Sequence, residues 1–388
     1  MLLLLACASP AQSSAAAPFS IEEQPLAKFI EDQLAEQHIP GLAVAVVVDG
    51  DVVWAKGFGY ADLGTKQPVT PDTLFVMASV SKTMVAAALM HAVEHGHLSL
   101  DADINVILPF PIHNPHFPDA VITARHLATH SSGIVDNDKF YGGPASYHYG
   151  GDNPISLGAF LAAYLTPGGE FYDAKENFSN SAPGSKWQYS NVGAGLAGYV
   201  VESATGMPFD AYCRKYIFDP LGMVNTGWHQ RDVDMSRHAI PYAYLDGQFV
   251  PYRHYGLATW PDGGLRTTVL DFGRFVGMIM EGGSLHGVRI MKPSTIQAML
   301  EPQRVTVVRE GVPAGSVTQA IFWIKGSGAN GEPARYRHTG GDPGASTLVA
   351  FDLERHVGVV CFADTDGTKA VDNALRQITG RLFEATKR

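Results

Sequence analysis

The segment Phe75-Val-Met-Ala-Ser-Val-Ser-Lys-Thr-Met84 contains the most informative short pattern of the chain. Its core is Ser79-Val-Ser-Lys82, followed by apolar residues at helical spacing, which predicts a helix over Ser79–His95. Residues three positions apart share a helix face, so the Lys82 amine can reach the Ser79 hydroxyl and, once deprotonated, accept its proton. Alone, the pattern equally fits a serine N-cap beside a surface lysine.

Two further motifs occur later in the chain. Tyr189-Ser-Asn191 is the only Y-x-N; a phenol can relay a proton and an amide can orient a lysine or a substrate. The alternative is that Asn191 simply caps a helix.

The triplet His338-Thr339-Gly340, followed by Gly341, comes at the end of a predicted strand. Glycines there let a substrate approach the backbone and leave an N–H for an oxyanion, although a plain β-turn is the alternative.

Strand and helix patterns at both ends of the chain predict one sheet with a helical region inserted. A helix over Glu22–Gln37 precedes a buried strand over Leu42–Val48, a turn at Asp49-Gly50 and a return strand over Val52–Tyr60. The later predicted elements are strands over Ala320–Lys325, Ala334–Thr339, Ser346–Asp352 and Val357–Ala363 and a helix over Ala370–Glu384. Helices of the middle region are predicted over Thr123–His130, Leu157–Leu165, Val192–Ser203 and Phe209–Ile217.

Composition and charge exclude several function classes. A formal net charge of −10 argues against nucleic acid as a partner, which would require a basic surface. The sequence has no G-x-S-x-G motif, and Gly193–Gly198 matches a dinucleotide motif only inside a predicted helix. The cysteines lack metal-ligand spacing, and His126 and His130, four apart on one helix face, lack the nearby glutamate of a zinc protease, so no metal or other cofactor is expected. Cys213 and Cys361 are predicted to be buried and apolar rather than disulfide-bonded.

The N-terminus resembles an export signal. Met1–Cys7 looks like the end of a secretory leader, and Leu4-Leu-Ala-Cys7 resembles a bacterial lipoprotein box, with Ser13–Pro18 as a tether or an alternative cleavage region. We therefore expect residues 1–20 to be a leader and tether, and the protein to be exported, periplasmic or anchored to a membrane through Cys7. A positively charged segment ahead of the apolar run is missing, and a cytoplasmic protein with a poorly chosen start site is the alternative.

S-x-x-K, Y-x-N and H-T-G occur in one order, each in a matching structural setting. In this the chain resembles the superfamily of serine β-lactamases and penicillin-binding proteins, in the branch of class C β-lactamases, DD-peptidases and family VIII esterases. The resemblance covers about Gln37 to the C-terminus and includes His130-Ser-Ser-Gly133 and Gly263-Gly-Leu-Arg-Thr267. It implies an α/β (α+β) fold with an antiparallel sheet flanked by the N- and C-terminal helices. The sheet part would span about 21–74 and 226–388, and the helical part about 75–225.

The resemblance also implies roles for the motif residues. Ser79 would be the nucleophile that forms an acyl-enzyme, and Lys82 would activate it. Tyr189 would act as general base and later as acid, while Asn191 would contact Lys82 or the acyl side chain. The backbone N–H groups of Ser79 and Gly341 would form the oxyanion hole. Whether Lys82 or Tyr189 takes the serine proton stays open.

The expected substrate is a small ester or a D-amino-acid-containing peptide. His338 stands where many β-lactamases carry a lysine for the substrate carboxylate, and a histidine is mostly neutral near pH 7. Hydrolysis of β-lactams is therefore less favoured. Acyl transfer to an amine or alcohol, as in a transpeptidase, and a non-catalytic penicillin- or peptidoglycan-binding protein are the alternatives. The aromatic residues of the segments 140–149 and 255–260 either line an acyl pocket or pack their loop against the body.

Overall fold

An eight-stranded antiparallel sheet is the centre of the fold in a computed structural model that describes residues 23–303, 305–308, 313, 315–326 and 334–386. The strands are β1 (Gly41–Val48), β2 (Asp51–Asp62), β3 (Gln67–Pro68), β4 (Phe75–Val76), β5 (Tyr147–Tyr149), β6 (Tyr242–Leu245), β7 (Gln248–Pro251), β8 (Tyr255–Leu257), β9 (Arg266–Thr267), β10 (Ser284–Leu285), β11 (Val288–Arg289), β12 (Val317–Gln319), β13 (Ile324–Gly326), β14 (Tyr336–Asp342), β15 (Ala345–Asp352) and β16 (Val357–Ala363). The order in the large sheet is β12-β13-β14-β15-β16-β1-β2-β3, so its strands come from both ends of the chain.

Helices cover both faces of this sheet. They are α1 (Glu23–Glu36), α2 (Ser81–Glu94), α3 (Ala124–Ala128), α4 (Leu157–Leu165), α5 (Asn191–Thr205), α6 (Phe209–Cys213), α7 (Asp219–Leu221), α8 (Val269–Met280), α9 (Pro293–Leu300) and α10 (Lys369–Ala385), with a π-helical segment Arg214–Phe218 between α6 and α7. α1 and α10 share an apolar cluster with one face of the sheet, while α2 and α8 share the other. Alternate side chains of β1 enter the two clusters, which explains its unbroken apolar sequence.

The predicted fold class is confirmed by this architecture, including the antiparallel sheet and the flanking terminal helices. Cys213 and Cys361 are buried and unpaired in the described part of the chain, as predicted. Within the same residues no helix is long and apolar enough to cross a membrane. The predicted leader and tether, including Cys7, lie outside the described residues. The division at 75 and 226 stays a prediction.

One predicted strand is wrong. Ala320–Lys325 is not a single strand, because Ala320–Trp323 form the turn between β12 and β13. The Ala320 N–H donates to the Trp323 carbonyl at 2.7 Å, and Phe322 has φ +51. The run is apolar because the turn itself is buried, which periodicity cannot distinguish from a buried strand. β14 also continues beyond the predicted end at Thr339, as far as Asp342.

Candidate active site

Ser79 lies in a single 3₁₀ turn, Ala78–Val80, that leads into the buried helix α2. Ala78 has φ +45, a conformation that costs a non-glycine residue on the order of 1–3 kcal/mol. Neighbouring elements hold this turn: the Met77 carbonyl accepts a hydrogen bond from Thr347 Oγ1 at 2.8 Å, and the Met77 N–H donates to Leu265 at 2.8 Å. The serine is therefore presented on a strained but firmly anchored turn.

The Lys82 ammonium is fully buried and joins three distant parts of the chain. Its Nζ lies 3.0 Å from Ser79 Oγ, 2.6 Å from Asn191 Oδ1 and 2.8 Å from the Asp262 carbonyl oxygen. The last two atoms can only accept hydrogen bonds, so they occupy two N–H groups of the amine. In a neutral lysine the remaining position is a lone pair, and it is directed at Ser79. The structure thus brings the predicted nucleophile, lysine and asparagine together in a geometry that suits proton transfer.

Tyr189 lies beside this lysine but is not bonded to it. Lys82 Nζ is 5.0 Å from the centre of the tyrosine ring, and the Tyr189 hydroxyl makes no hydrogen bond to any described residue. The ring packs on His130 at 4.3 Å between centroids. His130 Nδ1 accepts from the Ser190 N–H at 3.3 Å, and burial, together with Lys82, holds the pKa of His130 well below its usual range. A neutral His130 therefore supports the phenol ring, a contact that the sequence did not predict.

The strand β14 brings the H-T-G triplet against the nucleophile turn. A Cβ atom at Gly340 would lie 2.9 Å from the Ser79 nitrogen, so the two backbones are in close contact. The two-residue turn after Asp342 makes Asp342 and Ala345 the closing pair, which leaves Gly341 and Ser346 as a non-hydrogen-bonded pair. The Gly341 N–H therefore points away from β15. This is the direction that a donor of the predicted oxyanion hole requires.

His338 and Thr339 precede these two glycines on β14. His338 is buried, and its Nδ1 lies 2.8 Å from the Thr339 carbonyl oxygen, which accepts from it. On this tautomer the Nε2 atom carries no proton in the neutral ring. Of the predicted substrate-binding residues on β14, Gly340 lies directly against Ser79, and His338, Thr339 and Gly341 are its neighbours along the strand. None of these four residues carries a permanent positive charge.

Asp136 is a site residue that the sequence analysis missed. It follows the His130-Ser-Ser-Gly133 segment, and its two carboxylate oxygens accept hydrogen bonds from Ser190 Oγ, Asn191 N, Asn191 Nδ2 and Val192 N at 2.8–3.0 Å. Burial raises its pKa, while these donors oppose the shift. Its only signal in the sequence was its place next to a recognised segment.

Two further carboxyl groups, those of Asp262 and Asp342, lie close to the predicted catalytic residues and were also missed. Tyr141 donates to Asp262 Oδ2 at 3.4 Å, and Tyr147 donates to Asp342 Oδ1. Burial raises the pKa of Asp262 to about 7 and that of Asp342 to about 6. Asp262 directly precedes Gly263, and Asp342 directly follows Gly341. Their place beside these recognised glycines was the only indication of a role in the sequence.

The aromatic segments pack against each other at this edge. Tyr147 and Tyr149 lie 5.5 and 5.6 Å from the Tyr255 ring, and β5 pairs with β8. Phe140 packs on Phe171 at 5.6 Å. These contacts support the packing alternative for the aromatic residues. His148 is exposed and lies outside these ring contacts.

The glycines of Gly193–Gly198 allow close helix packing. They lie inside α5, and Cβ atoms at Gly195 and Gly198 would meet Thr259 at 3.1 Å and Pro261 at 2.8 Å. The helix can therefore approach the segment before Asp262, which places the Asp262 carbonyl over Lys82.

A separate cavity of about 500 Å³ adjoins the one group of described residues with metal-ligand spacing. Asp210, His229 and Asp232 have potential ligand atoms within 4.8 Å of one another. Asp210 and His229 also line the cavity, together with Trp260 and others, but Ser79, Lys82 and Tyr189 do not. His126 and His130 do not belong to this group.

The chain matches the family model described as Beta-lactamase over residues 26–380. Esterase EstB of Burkholderia gladioli is 33% identical over 249 residues, which cover 61% of this chain and 59% of the esterase. The serine beta-lactamase-like protein LACTB, mitochondrial, of Mus musculus is 27% identical over 80% of this chain and 69% of that protein. The solved octameric penicillin-binding protein homologue from Pyrococcus abyssi superposes with a TM-score of 0.77 and 27% identity, over 94% of this chain and 78% of that one.

Proposed function

The chain belongs to the Beta-lactamase family, and on that premise we propose that it is a serine hydrolase that forms an acyl-enzyme on Ser79 and hydrolyses a carboxylic ester. The observation that carries the proposal is the buried contact of 3.0 Å between Ser79 Oγ and Lys82 Nζ. Asn191 Oδ1 and the Asp262 carbonyl oxygen accept from Lys82 Nζ and orient it. In the neutral amine the lone pair is then available for the serine proton.

Acylation follows from this geometry. As Ser79 Oγ forms a bond to the ester carbonyl carbon, its proton passes to the neutral Lys82 amine. The carbonyl oxygen becomes an oxyanion that accepts hydrogen bonds from the backbone N–H groups of Ser79 and Gly341. Collapse of this intermediate breaks the bond to the alcohol oxygen, which leaves with a proton. Tyr189 suits delivery of that proton, because its hydroxyl has no partner in the described part of the chain and its ring lies 5.0 Å from Lys82 Nζ.

Deacylation repeats these steps with water. Water attacks the acyl carbon and gives up a proton to the same base, and the Ser79 oxygen regains a proton as the acyl group leaves as a carboxylic acid. No cofactor is required for either half of this cycle.

The charges around the site favour a neutral ester over a substrate with a carboxylate. Two carboxyl groups, Asp262 and Asp342, lie at the site, and among the described residues the basic side chains of Lys82 and Arg266 already donate hydrogen bonds within the protein. Lys82 donates within the catalytic cluster, and the Arg266 guanidinium donates to the backbone carbonyls of Trp228, Gly264 and Tyr255. His338 occupies the remaining position without a permanent charge. The similarity to the esterase of Burkholderia gladioli supports the same choice.

Cleavage of a D-amino-acid peptide is the second candidate. It is favoured by the similarity to the penicillin-binding protein homologue, which extends over 94% of this chain. The D-alanyl-D-alanine terminus carries a carboxylate, so the two candidates differ in the charge that the site must accept. β-Lactam hydrolysis and acyl transfer to an amine or alcohol are further alternatives, and binding without turnover is the alternative in which none of the substrates below is cleaved.

The experiment compares kcat/KM for two esters with the same six-carbon acyl chain, 4-nitrophenyl hexanoate and the 4-nitrophenyl monoester of adipic acid, and for a D-alanyl-D-alanine peptide. Ser79→Ala is the blank. We expect the neutral ester to be preferred over the anionic one by roughly tenfold or more, the scale of one charge near the site. Preference for the adipate ester together with peptide cleavage would make the protein a D-peptidase. If none of the three is turned over, the hydrolase proposal fails.

A further inference from the structure

Asp136 connects the segment after α3 to the first residues of α5. Its Oδ1 atom accepts from Ser190 Oγ and Val192 N, both at 3.0 Å. Its Oδ2 atom accepts from the backbone nitrogen of Asn191 at 2.8 Å and from the side-chain nitrogen of the same residue at 2.9 Å. Backbone N–H groups cannot accept, so both oxygens of Asp136 act as acceptors here.

This carboxylate decides which way the Asn191 amide turns. An asparagine side chain has an oxygen that accepts and an NH₂ group that donates, and the two ends are nearly equal in shape. Because Asp136 presents only an acceptor, the NH₂ group must face Asp136. The amide oxygen must then face Lys82, where it lies 2.6 Å from Nζ.

The orientation of this amide in turn fixes the lysine. With Asn191 Oδ1 and the Asp262 carbonyl oxygen as acceptors, the two N–H groups of neutral Lys82 are occupied and the lone pair faces Ser79. If the amide were reversed, its NH₂ group would face the amine and compete with Ser79 for the lone pair. Ser79 would then lose its proton acceptor.

We propose that Asp136 is a positioning residue that holds the Asn191 amide oxygen on Lys82 and thereby directs the lysine lone pair at Ser79. The inference rests on the proposed function of Ser79 and Lys82. Asp136 itself touches neither the nucleophile nor the lysine amine by a hydrogen bond. Its hydrogen bonds reach Lys82 only by way of the Asn191 side chain.

Asp136→Asn tests this role. It removes the constraint on the Asn191 amide, and we expect kcat for 4-nitrophenyl hexanoate to fall by roughly 100-fold, with KM changed less than threefold. A purely structural role would lower the amount of folded protein and leave kcat per folded molecule unchanged.

Ser190→Ala is the matched control. Ser190 donates to the same carboxylate and caps α5 by accepting from Gly193 N at 2.9 Å, but it does not contact the Asn191 amide. We expect this variant to lose stability while its kcat stays within threefold of the wild type. Wild-type kcat in folded Asp136→Asn would overturn the proposal.

A second measurement does not depend on activity or on folding of the variant. Neutron diffraction of the wild-type protein shows the deuterons of the Asn191 side chain directly. Deuterons directed at Asp136 support the proposal, and deuterons directed at Lys82 overturn it. A wild-type enzyme that fails to hydrolyse the ester would instead contradict the proposed function, whichever way the amide points.

Discussion

The backbone of Gly340 lies directly against the amide nitrogen of Ser79. A Cβ atom at position 340 would be 2.9 Å from that nitrogen, 2.6 Å from the Met77 carbonyl oxygen and 2.4 Å from Thr347 Oγ1. Two of these neighbours belong to the nucleophile turn. The close approach brings the donors of the predicted oxyanion hole to the same carbonyl oxygen, which is why a residue without a side chain is needed there.

Gly340→Ala is therefore expected to displace the nucleophile turn. We predict that kcat/KM for the neutral ester falls by roughly 100-fold and that the free energy of unfolding drops by about 1–3 kcal/mol. Gly341→Ala is the control, because the nearest heavy atom to its new Cβ would be Gly367 Cα at 4.0 Å. Urea unfolding and ester kinetics measure both effects. Equal activity of the two variants would contradict the close-approach argument.

Lys82→Ala removes the proton acceptor of the nucleophile. It leaves Asn191 Oδ1 and the Asp262 carbonyl oxygen without their donor in a buried site. We predict a loss in kcat of roughly 1,000-fold or more, measured with 4-nitrophenyl hexanoate. Lys28→Ala changes an exposed lysine that pairs with Asp32 on α1 and should leave kcat unchanged. Turnover by Lys82→Ala near the wild-type rate would remove the lysine from the mechanism.

Tyr189→Phe isolates the contribution of the phenol hydroxyl. The ring contacts with His130 and Trp187 remain, so stability should change little. We predict that kcat/KM falls by roughly 100- to 10,000-fold, the range of general acid–base catalysis. Esters with a better leaving group need less protonation of the departing oxygen, so the loss should shrink along a series of phenyl esters of decreasing leaving-group pKa. A loss that is constant along the series would assign Tyr189 to another step.

Asp262→Asn should change the dependence of stability on pH. Burial raises the native pKa of Asp262 to about 7, whereas the pKa of an aspartate in the unfolded chain is about 3.9. Between these values the native carboxyl keeps a proton that the unfolded chain has lost, so the free energy of unfolding falls as pH rises from about 4 to about 7. Relative to wild type, the variant should gain on the order of 2 kcal/mol between pH 5 and pH 8.

Urea unfolding at both pH values measures this difference. Asp32→Asn on the surface of α1 is the control and should show the same stability difference from wild type at pH 5 and pH 8. A difference for Asp262→Asn that also stays constant would show that its carboxyl is ionised across the whole range in the native state.

The sequence was sufficient for the catalytic motifs and the fold because both are local patterns. S-x-x-K places Ser79, in the 3₁₀ turn, three residues before Lys82, in the first turn of α2. Apolar runs with turn residues between them define β1, β2, β15 and β16. The strand predicted over Ala320–Lys325 failed because a buried turn and a buried strand have the same apolar composition.

The supporting carboxylates could not be predicted in the same way. Asp136 acts on residues 54–56 positions later, and Asp342 accepts from a tyrosine 195 positions earlier. Such contacts depend on how α5 and the aromatic segment pack against the sheet, which no local period encodes. Tyr189 lies beside Lys82 without a hydrogen bond to it, because its ring packs on His130. This placement also depends on tertiary packing.

Trapping the acyl-enzyme tests most directly whether Ser79 is the nucleophile. Wild-type protein is mixed with 4-nitrophenyl hexanoate, quenched in acid within the first turnover and digested, and the peptides are analysed by mass spectrometry. We predict one hexanoyl group on the peptide that contains Ser79 in the wild type, and no hexanoyl group in Ser79→Ala. Acylation of a different residue, or ester turnover that persists in Ser79→Ala, would contradict it.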